Sequence, residues 1–138
     1  MVNASDIEGY FAQMNLPFES VGPDTWVVHD EYDSIGNIVV QLNLPVVFFR
    51  VKLMEIPKKV DRQQLFETLL RLNATDMIHG AYGLEDNSVV ATDTLQAENL
   101  DFNEFQASVD ALGLCISDHY FKALAPFRER KSNEHHES

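Results

Sequence analysis

Cys115 and His119 stand four residues apart, about one helical turn, and are the best spacing in this chain for a nucleophile beside a base. A thiol attacks as its thiolate, which a neighbouring cation must favour, and no Lys or Arg adjoins Cys115. The residues therefore read as a buried or half-buried core cysteine, with a small thiol enzyme or redox sensor as the catalytic alternative. His119 follows Asp118 at the end of an expected helix, where a cation also complements the helix dipole.

His29-Asp30-Glu31-Tyr32-Asp33 is the densest group of potential metal ligands. A calcium loop of the EF-hand kind needs Gly at its sixth position and Glu at its twelfth. Counted from Asp30 the sixth residue is Ile35, and counted from Glu31 the twelfth is Leu42, so the group reads as a solvated acidic turn. His79, His119, His135 and His136 form neither an HExxH helix nor a cysteine-linked zinc pattern. No nucleophile elbow, phosphate loop or dinucleotide fingerprint occurs. Gly80-Ala81-Tyr82-Gly83 falls inside an expected strand, where glycine permits a bulge or a close approach of a helix. No acid, base and oxyanion site come together, so neither catalysis nor a cofactor or metal is expected.

The 138 residues suit one domain, expected over 1–127 with a charged, mobile tail over 128–138. The net charge of −12 is unevenly spread: residues 1–49 hold seven acids and no Lys or Arg, and residues 72–121 hold nine acids, again without a cation. Such a field repels polyanions, so nucleic acid and anionic membrane are not expected partners. A lone cysteine excludes an internal disulfide. No apolar run spans a bilayer, and the opening residues lack a signal-peptide pattern. A cytoplasmic location is the expectation.

Three helices must position whatever chemistry exists. Ser5 with Glu8, Asp61 with Gln64 and Asp101 with Glu104 have the spacing of an N-cap and its partner. Each pair opens an apolar stripe at helical period: Ile7, Tyr10, Phe11, Met14; then Leu65, Phe66, Leu69, Leu70, stopping near Asn73; then Phe102, Phe105, Val109, Leu112, Ile116. Between them the period becomes two. Thr25 to His29, Ile38 to Leu42 and Val46 to Leu53 read as strands, with Leu44-Pro45 at a turn. Gly80 to Leu84 and Ser88 to Thr92 read as a hairpin about Glu85-Asp86-Asn87. The expected fold is α+β: a five-stranded antiparallel sheet with three helices in the order α-β-β-β-α-β-β-α.

Apolar surface remains after this accounting. Val46 and Phe48 fall on the strand face opposite Val47 and Phe49, and are either covered by a helix or kept for another chain. Val46, Phe48, Phe66 and Leu70 are the candidate partner-binding residues.

The element order, with its local wording, resembles the superfamily that holds the type III secretion chaperones of the Tir-chaperone kind and the YbjN-like bacterial proteins. Trp26 opens the first strand, and Leu65-Phe66-Glu67-Thr68-Leu69-Leu70-Arg71-Leu72-Asn73 looks like the family's LLxxN second helix. Gly83 to Val90 looks like its fourth-to-fifth strand hairpin, and Leu100-Asp101-Phe102 with Phe105 like the entry to its last helix. The resemblance covers about residues 5–125. It implies a non-catalytic cytosolic protein that dimerises and binds another protein, as secretion chaperones hold an effector segment extended across apolar patches without ATP. YbjN-like members are described as candidate sensory-transduction regulators. Residues 51–60 carry charge and a proline where many secretion chaperones run short and apolar into the second helix, which favours the YbjN-like branch over a dedicated chaperone for one effector.

Overall fold

The computed structural model describes residues 1–29, 37–77 and 79–128. The acidic turn containing Asp30, Glu31 and Asp33 lies outside the described residues, as do His135, His136 and the rest of the tail beyond Arg128. The elements are α1 (Ala4–Gln13), β1 (Phe18–Gly22), β2 (Thr25–His29), β3 (Asn37–Asn43), β4 (Val46–Glu55), α2 (Arg62–Thr75), β5 (Ala81–Glu85), β6 (Ser88–Gln96) and α3 (Phe102–Phe121). A short 3₁₀ turn, Ala125–Phe127, follows the last helix.

The sheet has six strands, in the order β1-β2-β3-β4-β6-β5, where the sequence suggests five. The additional strand is β1, Phe-Glu-Ser-Val-Gly, which pairs antiparallel with β2. All its residues but Gly22 are exposed, so nothing forces apolar and polar types to alternate, and a strand wetted on both faces carries no period-two signal. Asp24, in the left-handed region at φ 52°, closes this hairpin, as Asp86 at φ 52° closes β5–β6.

Helix α1 begins earlier than Ser5. Asn3 caps it, accepting from the Asp6 amide at 2.9 Å while the Asp6 carboxylate accepts from the Asn3 amide at 3.0 Å. Glu8 is thereby released from capping and turns to the sheet, where it accepts the Trp26 indole N–H at 2.8 Å. Asp61 and Asp101 cap α2 and α3 as their spacing suggests, accepting from the amides of Gln64 at 3.1 Å and Glu104 at 2.8 Å. Helix α2 does not stop at Asn73; it runs on to Thr75, with Asp76 at its C-cap. Strand β6 likewise continues past Thr92 to Gln96.

The alternation along β4 sorts the sheet into two faces. Val47, Phe49, Val51 and Leu53 are buried, whereas Val46, Phe48 and Arg50 are half-buried. The buried set joins Trp26, Val28, Ile38, Val40, Val89 and Ala91 beneath all three helices. Phe105 of α3 is the meeting point, its ring 5.7 Å from Phe11 of α1 and 5.5 Å from Phe49 of β4. Each of these fully buried phenylalanines contributes roughly 1.5–3 kcal/mol of transfer free energy. Gly80 serves a close strand approach rather than a helix: at φ +79° it meets β6 so tightly that a Cβ would lie 2.3 Å from the Thr92 carbonyl oxygen.

Candidate functional site

A gathering of ionisable side chains under the helices joins three elements. His119 of α3 is 3% exposed. Its Nε2 lies 3.0 Å from Asp76 Oδ2 at the end of α2, and its Nδ1 lies 2.6 Å from the Tyr82 hydroxyl on β5. The Thr75 hydroxyl donates to Asp76 at 2.8 Å. That bond first, and His119 second, hold the Asp76 carboxyl below its usual range. Burial, with Cys115, Asp76 and Asp118 nearby, pushes the Tyr82 phenol well above its usual range. An ionised Asp76 only accepts and a neutral Tyr82 donates, which assigns the proton of a neutral His119 to Nε2 and leaves Nδ1 as the acceptor.

Cys115 stands beside this cluster, its sulfur 3.7 Å from His119 Nε2 and 3.8 Å from Nδ1. A thiol, an imidazole and a carboxylate in contact have the membership of a catalytic triad but not its order. In a working triad one ring nitrogen faces the nucleophile and the other faces the acid. Here Asp76 takes Nε2 and Tyr82 takes Nδ1, so the ring has no free lone pair for the thiol proton. Burial, then Asp76 and Asp118, push the Cys115 thiol up, the direction opposite to activation. The cluster fastens α2, β5 and α3 together. Among the described residues no group of three His, Cys, Asp or Glu side chains is arranged to hold a metal.

The four partner-binding candidates fall on two separate surfaces. Phe66 and Leu70 lie one helical turn apart on α2 and face β5. With Leu69, Asn73, Tyr82, Gly83 and Leu84 they line an open groove of about 240 Å³. Leu70 is 66% and Leu84 51% exposed, so the groove mouth is an apolar strip at the edge of the sheet. Leu84 carries no helical or alternating signal of its own; only the packing of β5 beside α2 brings it to this strip.

Val46 and Phe48 lie on the opposite face of the sheet. Strand pairing places Val27 opposite Val39, and Gln41 and Thr94 on either side of Phe48. Val90, beside Lys52 and Gly83, belongs to the same face and is buried without joining the core under the helices. Arg50 reaches across β6 to Glu85 at 2.6 Å. Valine, phenylalanine and threonine thus occupy the middle of a face that no described helix covers.

This architecture, an antiparallel sheet with helices on one face and apolar strips left outside, defines a chaperone-like α+β protein. The chain belongs to the CesT_Tir_1 family, whose model matches residues 2–128. Among solved structures it is similar to YbjN of E. coli, described as a candidate transcription regulator, with a TM-score of 0.65 at 13% identity over 86% of this chain and 91% of that one. It is also similar to a chain of the heterodimeric ExoU–SpcU complex from the type III secretion system of Pseudomonas aeruginosa, with a TM-score of 0.64 at 17% identity over 89% and 98%. A third likeness is to a chain of the HopA1–SchA chaperone–effector complex, with a TM-score of 0.59 at 12% identity over 84% and 95%. At these identities the likeness concerns the fold. No curated protein matches the sequence. Among the described residues no helix is long and apolar enough to cross a membrane.

Proposed function

We propose that this chain is a non-catalytic, chaperone-like cytoplasmic protein that dimerises and binds another protein through its exposed apolar strips. The observation that carries this reading is the groove between α2 and β5, where Leu70 and Leu84 lie open and Phe66 half-buried beside an edge strand. Burying such a strip against a partner gains about 25 cal/mol per Å² of apolar area, and a protein chain can supply the matching side chains. Val46 and Phe48 offer a second strip on the open sheet face. The acidic surface, at a net charge of −12, suits basic or aggregation-prone partners.

A role as dedicated secretion chaperone for one effector is the second reading. It is favoured by structural neighbours from type III secretion complexes and from a chaperone–effector complex. Against it stands the charged, proline-containing connection from β4 to α2, which favours a regulatory role of the YbjN-like kind.

Co-purification from native cells followed by mass spectrometry tests the proposal, with Leu70→Asp and Phe48→Asp as paired variants. Loss of the bound protein in either folded variant supports binding through that strip. Retention in both, on a chain that light scattering shows to be monomeric, refutes the reading.

A further inference from the structure

Asn73 is the last residue of the Leu-Leu-Arg-Leu-Asn run in α2, and its side chain does not serve the helix. Its Oδ1 accepts from the Tyr82 backbone N–H at 2.7 Å, and its Nδ2 donates to the Tyr82 carbonyl at 3.2 Å. Tyr82 lies on β5, and β5 is an edge of the sheet. Along an antiparallel strand, residues alternate between bonding to the neighbour and pointing their backbone groups outward. Those of Tyr82 point outward, so they belong to the pair that an added strand would use. A primary amide has the same donor and acceptor as a peptide unit, and that of Asn73 fills both places at once.

We infer that Asn73 is an edge lock: it occupies the backbone groups of Tyr82 that a strand from another chain needs, and so keeps β5 from extending the sheet into a partner or a second copy. An unguarded edge strand is a template for such pairing. Leu84, the next outward-pointing residue, has no such amide against it among the described residues, so the two hydrogen bonds at Tyr82, the second residue of a five-residue strand, are what closes it. The phenol of Tyr82 holds the lock in register, because its bond to His119 ties β5 to α3 while Asn73 ties it to α2. Phe66, Leu69 and Leu70 lie in the same groove and help shield the two bonds from water. Whatever docks at this groove does so by inserting side chains, not by strand addition at Tyr82.

Amide hydrogen exchange on the full wild-type chain, corrected for intrinsic rates, tests the lock without any substitution. Tyr82 is expected to exchange roughly tenfold more slowly than Leu84, about the worth of one partly buried hydrogen bond. Equal rates at the two positions would overturn the inference. Asn73→Ala provides the second measurement, by light scattering over a concentration series. The folded variant is expected to associate beyond the wild-type state, with the Leu84 amide becoming slow in the associated form. A folded variant that keeps wild-type association at every concentration refutes the lock, and one that fails to fold leaves the wild-type exchange rates to decide.

Discussion

The Tyr82 hydroxyl, on the edge strand β5, donates at 2.6 Å to Nδ1 of His119, on the last helix, thirty-seven residues later in the chain. This bond, with His119 Nε2 on Asp76, closes the space between α2, β5 and α3 and leaves the Cys115 thiol without a base.

Tyr82→Phe removes the donor and leaves a buried imidazole nitrogen unpaired. Denaturant unfolding is expected to show a loss of about 1–3 kcal/mol. An unchanged midpoint would mean that the pair does not fasten the three elements.

Glu8 and Trp26 make a second such pair between α1 and β2. Glu8→Ala strands the indole N–H and is expected to cost about 1–3 kcal/mol. The chain has a single tryptophan, so its fluorescence reports the change directly. An unaltered emission maximum together with unaltered stability would contradict the assignment.

Asp93 carries a pH-dependent destabilisation. Its side chain shares the covered face of β6, opposite Phe49, and its Oδ2 is buried with no hydrogen-bond partner. Burial raises its carboxyl above the usual range, although the Thr94 amide and the charge of His79 oppose the shift. A raised carboxyl means that the folded chain holds the proton longer than the unfolded one. Its favourable contribution is complete below the usual carboxylate range and is lost as pH rises through the raised value. Asp93→Asn is therefore expected to stabilise the protein at pH 7 relative to wild type, with the advantage shrinking towards pH 3. Thermal melts of both proteins across that span check it, and a gap that widens on acidification would reverse the sign.

Cys115 is expected to be a slow thiol. Burial and two nearby carboxylates disfavour its thiolate, so alkylation by iodoacetamide at neutral pH should run slower in the native chain than in the unfolded one. A native rate at or above the unfolded rate would restore the thiol-enzyme alternative.

Leu69 and Leu70 are neighbours in sequence with opposite surroundings, 5% and 66% exposed. Leu69→Ala is expected to cost about 2–5 kcal/mol through the cavity it leaves. Leu70→Ala should stay within about 0.5 kcal/mol, as surface changes do. Similar losses at both would place α2 in a different rotation about its axis.

Much of this architecture is legible in the chain because it rests on local rules. The apolar stripes at helical period place all three helices, and Asp61 and Asp101 cap two of them. The alternation from Val46 to Leu53 assigns Phe49 to the core and Phe48 to the other face. The first cap is misplaced because Asn3–Asp6 and Ser5–Glu8 are both chemically competent. What decides between them is the indole of Trp26, eighteen residues from Glu8. Strand β1 is silent because solvent on both faces imposes no pattern, and the end of α2 is misjudged because Asn73 answers to β5.

Phe66 and Leu70 meet at the groove because one helical turn separates them, a relation contained in the sequence. Their separation from Val46 and Phe48, and the arrival of Leu84 beside them, come from the order in which the strands assemble. Hydrophobic periodicity acts between residues a few positions apart, so the sequence by itself determined the three helices, five of the six strands, their buried faces and the family. The bonds of Tyr82 to Asn73 and His119 are directional, short-ranged contacts between distant segments. Only the tertiary structure, by setting β5 at the sheet edge between α2 and α3, decided that these side chains meet.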